Sequence, residues 1–158
     1  KLQEDCLKLA QVLSNAATVK VVDSQDGLAD FVQQIDVLSK GIGGDKAPIL
    51  TGLDCEWKPN FLLTSPTEPQ PVLLLQISLN TLGAVYLFDL QALLRPCQDP
   101  LGDLNELETL TSEALSKLFG SSHFLKTGFQ LMNDLHKLAV SYPHVPAFQS
   151  IHGVTEVS

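Results

Sequence analysis

The chain has 158 residues, a length that suits one domain with its own hydrophobic core. Hydrophobic residues make up 44% of it and charged residues 18%, which excludes an intrinsically disordered chain. No stretch approaches the ~18 consecutive apolar residues of a membrane-spanning helix, so we expect no membrane partner. The formal net charge of −8 at pH 7 is unusual for a protein that binds nucleic acid through Lys and Arg, although bound divalent cations would change the local charge.

The three cysteines, Cys6, Cys55 and Cys97, are odd in number and widely spaced. This pattern argues against a disulfide framework and favours a reducing compartment, so we expect an intracellular protein of the cytoplasm or nucleus. The chain starts with neither Met nor the charged-then-apolar pattern of a signal peptide. We therefore interpret it as a piece of a longer protein.

Residues 1–17 are predicted to form an N-terminal helix that belongs to a preceding region. The apolar residues that recur there at helical spacing are Leu2, Cys6, Leu9 and Leu13. A strand at 18–23 then opens the main domain, and a helix at 28–38 follows, with Asp26 as its candidate N-cap. A strand followed directly by a helix indicates an α/β pattern.

The middle of the chain predicts three more strands, at 47–57, 72–79 and 84–90. The turn sequence Asn-Thr-Leu-Gly between the last two strands predicts an antiparallel hairpin. The expected sheet is therefore mixed.

The second half predicts a helix at 106–118, a strand at 122–128 and a helix at 129–140. The last dozen residues predict no complete element. Strands alternate with helices in this half, so the whole pattern is that of an α/β domain with a partly antiparallel sheet.

Two carboxylates end the strand at 47–57. Side chains alternate along a strand, so Asp54 and Glu56 share one face, while Leu53, Cys55 and Trp57 share the apolar face that should meet the core. Neighbouring carboxylates repel each other and favour a cation between them, and Mg²⁺ prefers carboxylate oxygen. A solvated strand end remains the alternative.

A third carboxylate, Asp134, lies early in the helix predicted at 129–140. It is either a surface acid paired with Lys137 at i+3 or a ligand delivered to the same end of the sheet as Asp54 and Glu56. The residues alone leave both interpretations open.

Four segments in this order resemble the DEDD-type 3′–5′ exonucleases, in the branch of RNase D, the Werner-syndrome exonuclease domain and the mutator-type proteins. They read TGLDCEWKP, VLLLQISL, VYLFDL and HFLKTGFQLMNDLHKL, and the resemblance covers about residues 18–140. It implies a ribonuclease-H-like mixed sheet flanked by helices. It also implies that 18–158 is one exonuclease-like domain that is incomplete at its C-terminus, ending before the last helices of the fold.

The resemblance further implies an activity and its residues. Asp54, Glu56 and Asp134 match the catalytic carboxylates that hold two divalent metals, Mg²⁺ or Mn²⁺, for hydrolysis of terminal phosphodiester bonds at the 3′ ends of single-stranded RNA or DNA. Trp57 and Gln130 match positions that contact the substrate. For Trp57 the alternative is a core aromatic, and for Gln130 it is packing or a solvent-facing amide.

The fourth carboxylate of such a site, in a later Tyr-x-x-x-Asp or His-x-x-x-x-x-Asp motif, has no match here. No aspartate follows Asp134, and the only later acid, Glu156, lies in a segment that is a poor helix former, so we do not expect it to be a ligand. We therefore expect little or no nuclease activity from this chain alone. The alternatives are an inactive exonuclease-derived domain that binds nucleic acid or protein, and a plain α/β interaction domain without a site.

Overall fold

The computed structural model describes residues 18–40, 47–58, 70–95 and 99–157 of the chain. The helix predicted over 1–17 lies outside these residues. The described residues form one six-stranded sheet with helices packed against it, which confirms the predicted α/β class.

The six strands form one mixed sheet. They are β1 (Thr18–Val22), β2 (Ile49–Trp57), β3 (Val72–Leu79), β4 (Ala84–Asp89), β5 (Phe124–Phe129) and β6 (Val154–Val157). Their order across the sheet is β1-β4-β3-β2-β5-β6. β3 runs antiparallel to β2 and β4, whereas β1 is parallel to β4, and β5 is parallel to both β2 and β6. The predicted hairpin of β3 and β4 is confirmed.

Three of the described helices lie close to predicted positions, whereas the short helix at Leu90–Leu93 was not predicted and begins at the residue predicted to end a strand. The described helices are α1 (Gln25–Lys40), α2 (Leu90–Leu93), α3 (Glu106–Phe119) and α4 (Leu131–Ser141), and a short 3-10 helix covers Pro146–Phe148. The prediction of Asp26 as an N-cap was wrong, because the Leu28 N–H bonds the Ser24 carbonyl and Asp26 lies inside the first turn. An acid there still favours the positive end of the helix dipole. None of the described helices is long and apolar enough to cross a membrane.

The core lies on one face of the sheet, where α1 and α3 pack. Phe31 of α1 is fully buried, and its ring meets Tyr86 and Phe88 of β4 edge-on at centroid distances of 5.1 and 4.9 Å. Alternation along β1 turns Val19 and Val21 to the other face, where they are 60% and 59% exposed. The opposite face is therefore the more open one, and the strand register places the predicted acids of β2 on it.

A buried lysine holds β5 in place. The Lys126 side chain is fully buried, and its Nζ donates to the carbonyl oxygens of Phe119 (3.3 Å), His152 (2.8 Å) and Ser121. Two of these carbonyls belong to the C-terminal end of α3 and its exit, and the third leads into β6. Lys126 thus donates to two carbonyls at the exit of α3 and β6, and shares the Phe119 carbonyl with the His152 N–H.

The prediction of no complete element in the last dozen residues was wrong. Val154–Val157 forms β6, which pairs in parallel with β5 from Lys126 to Phe129. Gly153 turns the chain into this strand with a φ of 62°, a conformation that glycine adopts without strain. The pairing of β6 with β5 joins segments that are distant in the sequence, so no short-range pattern predicts it.

Candidate active site

β2 presents Asp54 and Glu56 on the open face of the sheet. Both carboxylates are exposed. Leu53, which precedes them, and Cys55, which lies between them, point into the core and are 5% and 6% exposed. Alternation along β2 from Leu53 to Glu56 produces this arrangement, since successive side chains point to opposite faces.

Trp57 does not follow the alternation, so the core alternative for this residue was wrong. The pairing of β2 with β3 shifts between Glu56 and Trp57, because Glu56 lies opposite Leu74 and Trp57 opposite Val72. Such a bulge re-aims the side chains beyond it. Trp57 is 37% exposed, and the Lys137 ammonium of α4 lies over its ring at 5.8 Å from the centroid.

The corner between β5 and α4 requires a close approach of two backbones. A Cβ at Gly128 would lie closer than 3.0 Å to the Leu53 carbonyl oxygen of β2, so only glycine fits this position. Gln130 then adopts a left-handed conformation with a φ of 49° and ψ of 32°, which ends β5 and starts α4 at Leu131, two residues later than predicted. A non-glycine residue in this region is uncommon and is concentrated at functional sites.

The Gln130 side chain is exposed and makes no hydrogen bond to the end of α4. Its backbone carbonyl instead accepts the N–H groups of Asn133 (2.9 Å) and Asp134 (3.4 Å). The packing alternative for Gln130 therefore does not hold, and its amide is free to face a ligand.

Asp134 lies one turn after this corner, close to the acids of β2. Its side chain is only 7% exposed, so the predicted surface pair with Lys137 is not formed, and Lys137 contacts Trp57 instead. Burial raises the pKa of Asp134, and the negative charges of Asp54 and Glu56 raise it further, against a hydrogen bond from the Cys55 backbone. The charges of Asp54 and Glu56 thus act on Asp134.

The buried Cys55 thiol senses the same negative potential. Burial raises its pKa, and the charges of Asp134, Asp54 and Glu56 raise it further. A thiol in such an environment stays protonated and is not a nucleophile. Cys55 is therefore a small core residue beneath the acidic site, as the alternation predicts.

A groove of about 340 Å³ runs beside Asp54 on the open face. Residues of β2, β3 and β5 line it, and they include one carboxylate, one amide and several small side chains: Gly52, Asp54, Gln76, Ser78, Thr127 and Gly128. The Gln76 amide of β3 donates to Asp54 Oδ2 at 3.1 Å, because the two residues lie directly opposite in the antiparallel register. The sequence offered one sign of Gln76, the single amide in the largely apolar β3, but the partner depends on the register.

Glu156 lies on the exposed edge strand β6. Its Oε1 accepts the Met132 N–H at 3.4 Å, at the N-terminal end of the helix that carries Asp134. This contact places a negative charge where the helix dipole favours one. Glu156 thus contacts the end of α4 from a regular strand.

The donor set suits a hard divalent cation in chemistry and charge. Burial raises the pKa of Asp134, the charges of the two β2 carboxylates raise it further, and a divalent cation would relieve that repulsion. Within the described residues, however, no three His, Cys, Asp or Glu side chains are already gathered closely enough to hold a metal ion. The exposed side chains of Asp54 and Glu56 would have to turn towards a cation.

Comparison with known proteins identifies relatives by structure alone. No protein-family model matches the chain, and no curated protein matches it. The chain resembles the Nibbler EXO domain of Aedes aegypti, with 17% identity and a TM-score of 0.57 over 87% of this chain and 52% of that one. It also resembles RNase D of Trypanosoma brucei in a complex with RNA U12, with 15% identity and a TM-score of 0.60 over 93% and 40%.

A third similar structure is the Escherichia coli RNase D, described as an exoribonuclease involved in structured RNA processing. It has 14% identity and a TM-score of 0.50 over 88% of this chain and 27% of that chain. The present chain thus spans about half, or less, of the length of these solved chains. The likeness confirms the ribonuclease-H-like fold of the RNase D and Nibbler exonuclease domains that the motifs of β2, β3, β4 and the β5–α4 corner predicted.

Proposed function

We propose that this chain is part of a metal-dependent 3′–5′ exonuclease domain that hydrolyses terminal phosphodiester bonds of single-stranded nucleic acid. Asp54, Glu56 and Asp134 are its catalytic carboxylates. Trp57 and Gln130, which lie at the ends of β2 and β5, contact the terminal nucleotide.

One observation carries the proposal. Asp134 is a nearly buried acid, and the charges that act on it include those of two more acids, Asp54 and Glu56. The three acids lie on a fold that resembles the exonuclease domains. A buried acid surrounded by like charges destabilises the free protein, and acids held in this way are concentrated at functional sites. The fold supplies the reaction class, and the three acids supply the chemistry.

The three carboxylates would hold Mg²⁺ or Mn²⁺, both of which take oxygen ligands. A bound divalent cation supplies Lewis acidity to the phosphodiester and lowers the pKa of a bound water. The chain's own contribution is to place the acids of β2 against α4, through the glycine corner at Gly128 and the buried Lys126. Exposed Trp57 offers an aromatic surface on which a base of any sequence can stack.

Single-stranded RNA is the favoured substrate. One structural neighbour is an RNase D bound to RNA U12, and another is an exoribonuclease, and both support RNA for this chain. A protein distinguishes RNA from DNA by contacts to the 2′-OH, so matched RNA and DNA strands test the choice directly.

A second candidate is an inactive exonuclease-derived domain that binds nucleic acid or protein. One structural observation favours it: no ligand group of three is gathered in the described residues. The fourth carboxylate expected from the motifs also has no match in the chain. We therefore expect the 158-residue chain to bind a divalent cation but to show little hydrolysis by itself.

The test is Mn²⁺ binding, followed by the electron paramagnetic resonance signal of free Mn²⁺. Asp134→Asn should remove most of the binding, whereas Glu113→Gln, which neutralises an exposed acid on α3, should leave it within twofold. Thermal melting without metal controls for folding. Equal binding by the two variants, or none by the parent, contradicts the metal site and leaves the inactive domain as the better proposal.

Hydrolysis is then measured with 5′-labelled single-stranded RNA and DNA of one sequence in the presence of Mn²⁺. We expect faint or no laddering from the 158-residue chain. Strong laddering that Asp134→Asn abolishes would show that three carboxylates suffice and would contradict the expected weakness.

A further inference from the structure

The Asp54 carboxylate has one hydrogen-bond partner among the side chains of the neighbouring strand. Gln76 of β3 lies directly opposite it, and the amide Nε2 donates to Asp54 Oδ2 at 3.1 Å. The cross-strand neighbour of Gln76 on its other side is Leu87 of β4, which offers no polar group. The amide therefore has its polar partner on the side of Asp54.

We propose that Gln76 is a positioning residue that sets the orientation of Asp54 for cation binding, an inference that rests on the proposed function. Asp54 is exposed, so without a partner its side chain would sample several rotamers. A carboxylate has about four lone-pair sites on two oxygens, and the amide occupies one of them on Oδ2. Oδ1 is left for a cation.

The chemistry of an amide suits this role better than that of other polar side chains. A Lys or Arg opposite Asp54 would neutralise it and repel a divalent cation, and another acid would add to the repulsion that raises the pKa of Asp134. A neutral donor orients the carboxylate without doing either. Partners of this kind, one bond removed from the metal, typically change metal affinity 10- to 100-fold when they are removed.

The surroundings of Gln76 hold its side chain on the face of the sheet that carries Asp54. Gln76 is half-buried between the buried neighbours Leu75 and Ile77 of β3, and it lines the same groove as Asp54. Ser78, two residues further along the same face, also lines the groove but lies opposite Gly52. Ser78 is therefore a matched control for a change in the polar lining that does not touch Asp54.

The experiment compares Gln76→Met with Ser78→Ala in the 158-residue chain. Methionine keeps the length of glutamine and removes the donor. We expect Gln76→Met to weaken Mn²⁺ binding about tenfold with an unchanged melting temperature without metal, and Ser78→Ala to stay within twofold of the parent. Titration with diamagnetic Mg²⁺ adds a spectroscopic readout: the Gln76 side-chain amide resonance should shift with the same half-saturation as the Asp54 backbone resonance.

The outcomes separate the two proposals. If Asp134→Asn loses Mn²⁺ but Gln76→Met binds it as tightly as the parent, or more tightly, the role of Gln76 is wrong and the metal site stands. If the parent itself binds no Mn²⁺, the proposed function fails and the role of Gln76 fails with it. An amide resonance of Gln76 that does not respond while Asp54 does would likewise overturn the inference.

Discussion

Replacing Gly128 by alanine tests whether β5 must approach β2 as closely as the structure has it. The added Cβ would fall within 3.0 Å of the Leu53 carbonyl oxygen, a separation that Cβ atoms essentially never show. Leu53 is paired with Ile77 of β3 in the middle of β2, so its carbonyl cannot move alone. The strain must therefore be taken up by a shift of β5 and the corner that leads into α4.

Overpacking of this kind costs about 1–3 kcal/mol, and we expect the upper part of that range because the obstacle is backbone. For a domain of this size each kcal/mol lowers the melting temperature by about 2–4 °C. Gly52→Ala is the matched control in the same groove. Its Cβ would meet only the Ser78 Cβ, at 3.3 Å, which asks a neighbour to move by a few tenths of an ångström.

The assay is urea denaturation followed by circular dichroism, with thermal melting as a second measurement. Gly128→Ala should lose clearly more free energy of unfolding than Gly52→Ala. Equal losses in the two variants would refute the reasoning, because they would mean that β5 and β2 have room for a side chain at Gly128.

Two further predictions concern buried charges. Lys126→Met should lower the free energy of unfolding by about 1–3 kcal/mol, since the carbonyls of Ser121 and His152 lose the lysine as a donor and the Phe119 carbonyl keeps only the His152 N–H. Burial lowers the pKa of Lys126 from 10.5 to about 8, so the unfolded chain binds the proton more tightly than the folded one. The difference in free energy of unfolding between the parent and this variant should therefore grow from pH 8 to 10.5. A difference that does not change with pH would contradict the prediction. Asp134→Asn should raise the metal-free free energy of unfolding by about 0.5–2 kcal/mol at pH 7. Because folding raises the pKa of Asp134, the folded parent binds this proton more tightly than the unfolded chain. The parent should therefore lose free energy of unfolding relative to this variant as the pH rises above 3.8. A variant that is less stable than the parent at pH 7 would refute the argument.

Local patterns predicted most of the elements and part of the site. Period-two alternation in β2 placed Asp54 and Glu56 opposite Leu53 and Cys55, and the structure has the same two faces. This worked because one face of β2 is buried against the core, so burial and the pleat agree. The hairpin of β3 and β4 was predictable for a similar reason, since its turn is local.

The features that sequence reasoning missed depend on contacts between distant segments. The bulge that exposes Trp57 arises from the register of β2 against β3, which are not adjacent in the sequence. β6 exists because β5 offers it a parallel edge, and Gln76 meets Asp54 only because one antiparallel register aligns them. Register is set by the whole sheet, so none of these features is encoded within a short stretch of sequence.

The two buried acids Glu108 and Asp134 argue for different roles within one chain. Glu108, fully buried at the start of α3, accepts hydrogen bonds from the Arg95 guanidinium and from the backbone N–H groups of Arg95 and Asn105. Although burial opposes its ionisation, these donors lower its pKa to about 2, as expected of an acid that stabilises the fold.

Asp134 is nearly as buried, but its charged neighbours are Asp54 and Glu56, and the opposing donor is a backbone group of Cys55. The pKa of Asp134 is therefore raised where that of Glu108 is lowered. An acid retained for stability would be expected to have the surroundings of Glu108, since an unpaired buried charge destabilises the fold. The surroundings of Asp134 make sense if positive charge from outside the protein completes them, which is why the metal-binding experiment on this residue decides the proposed function.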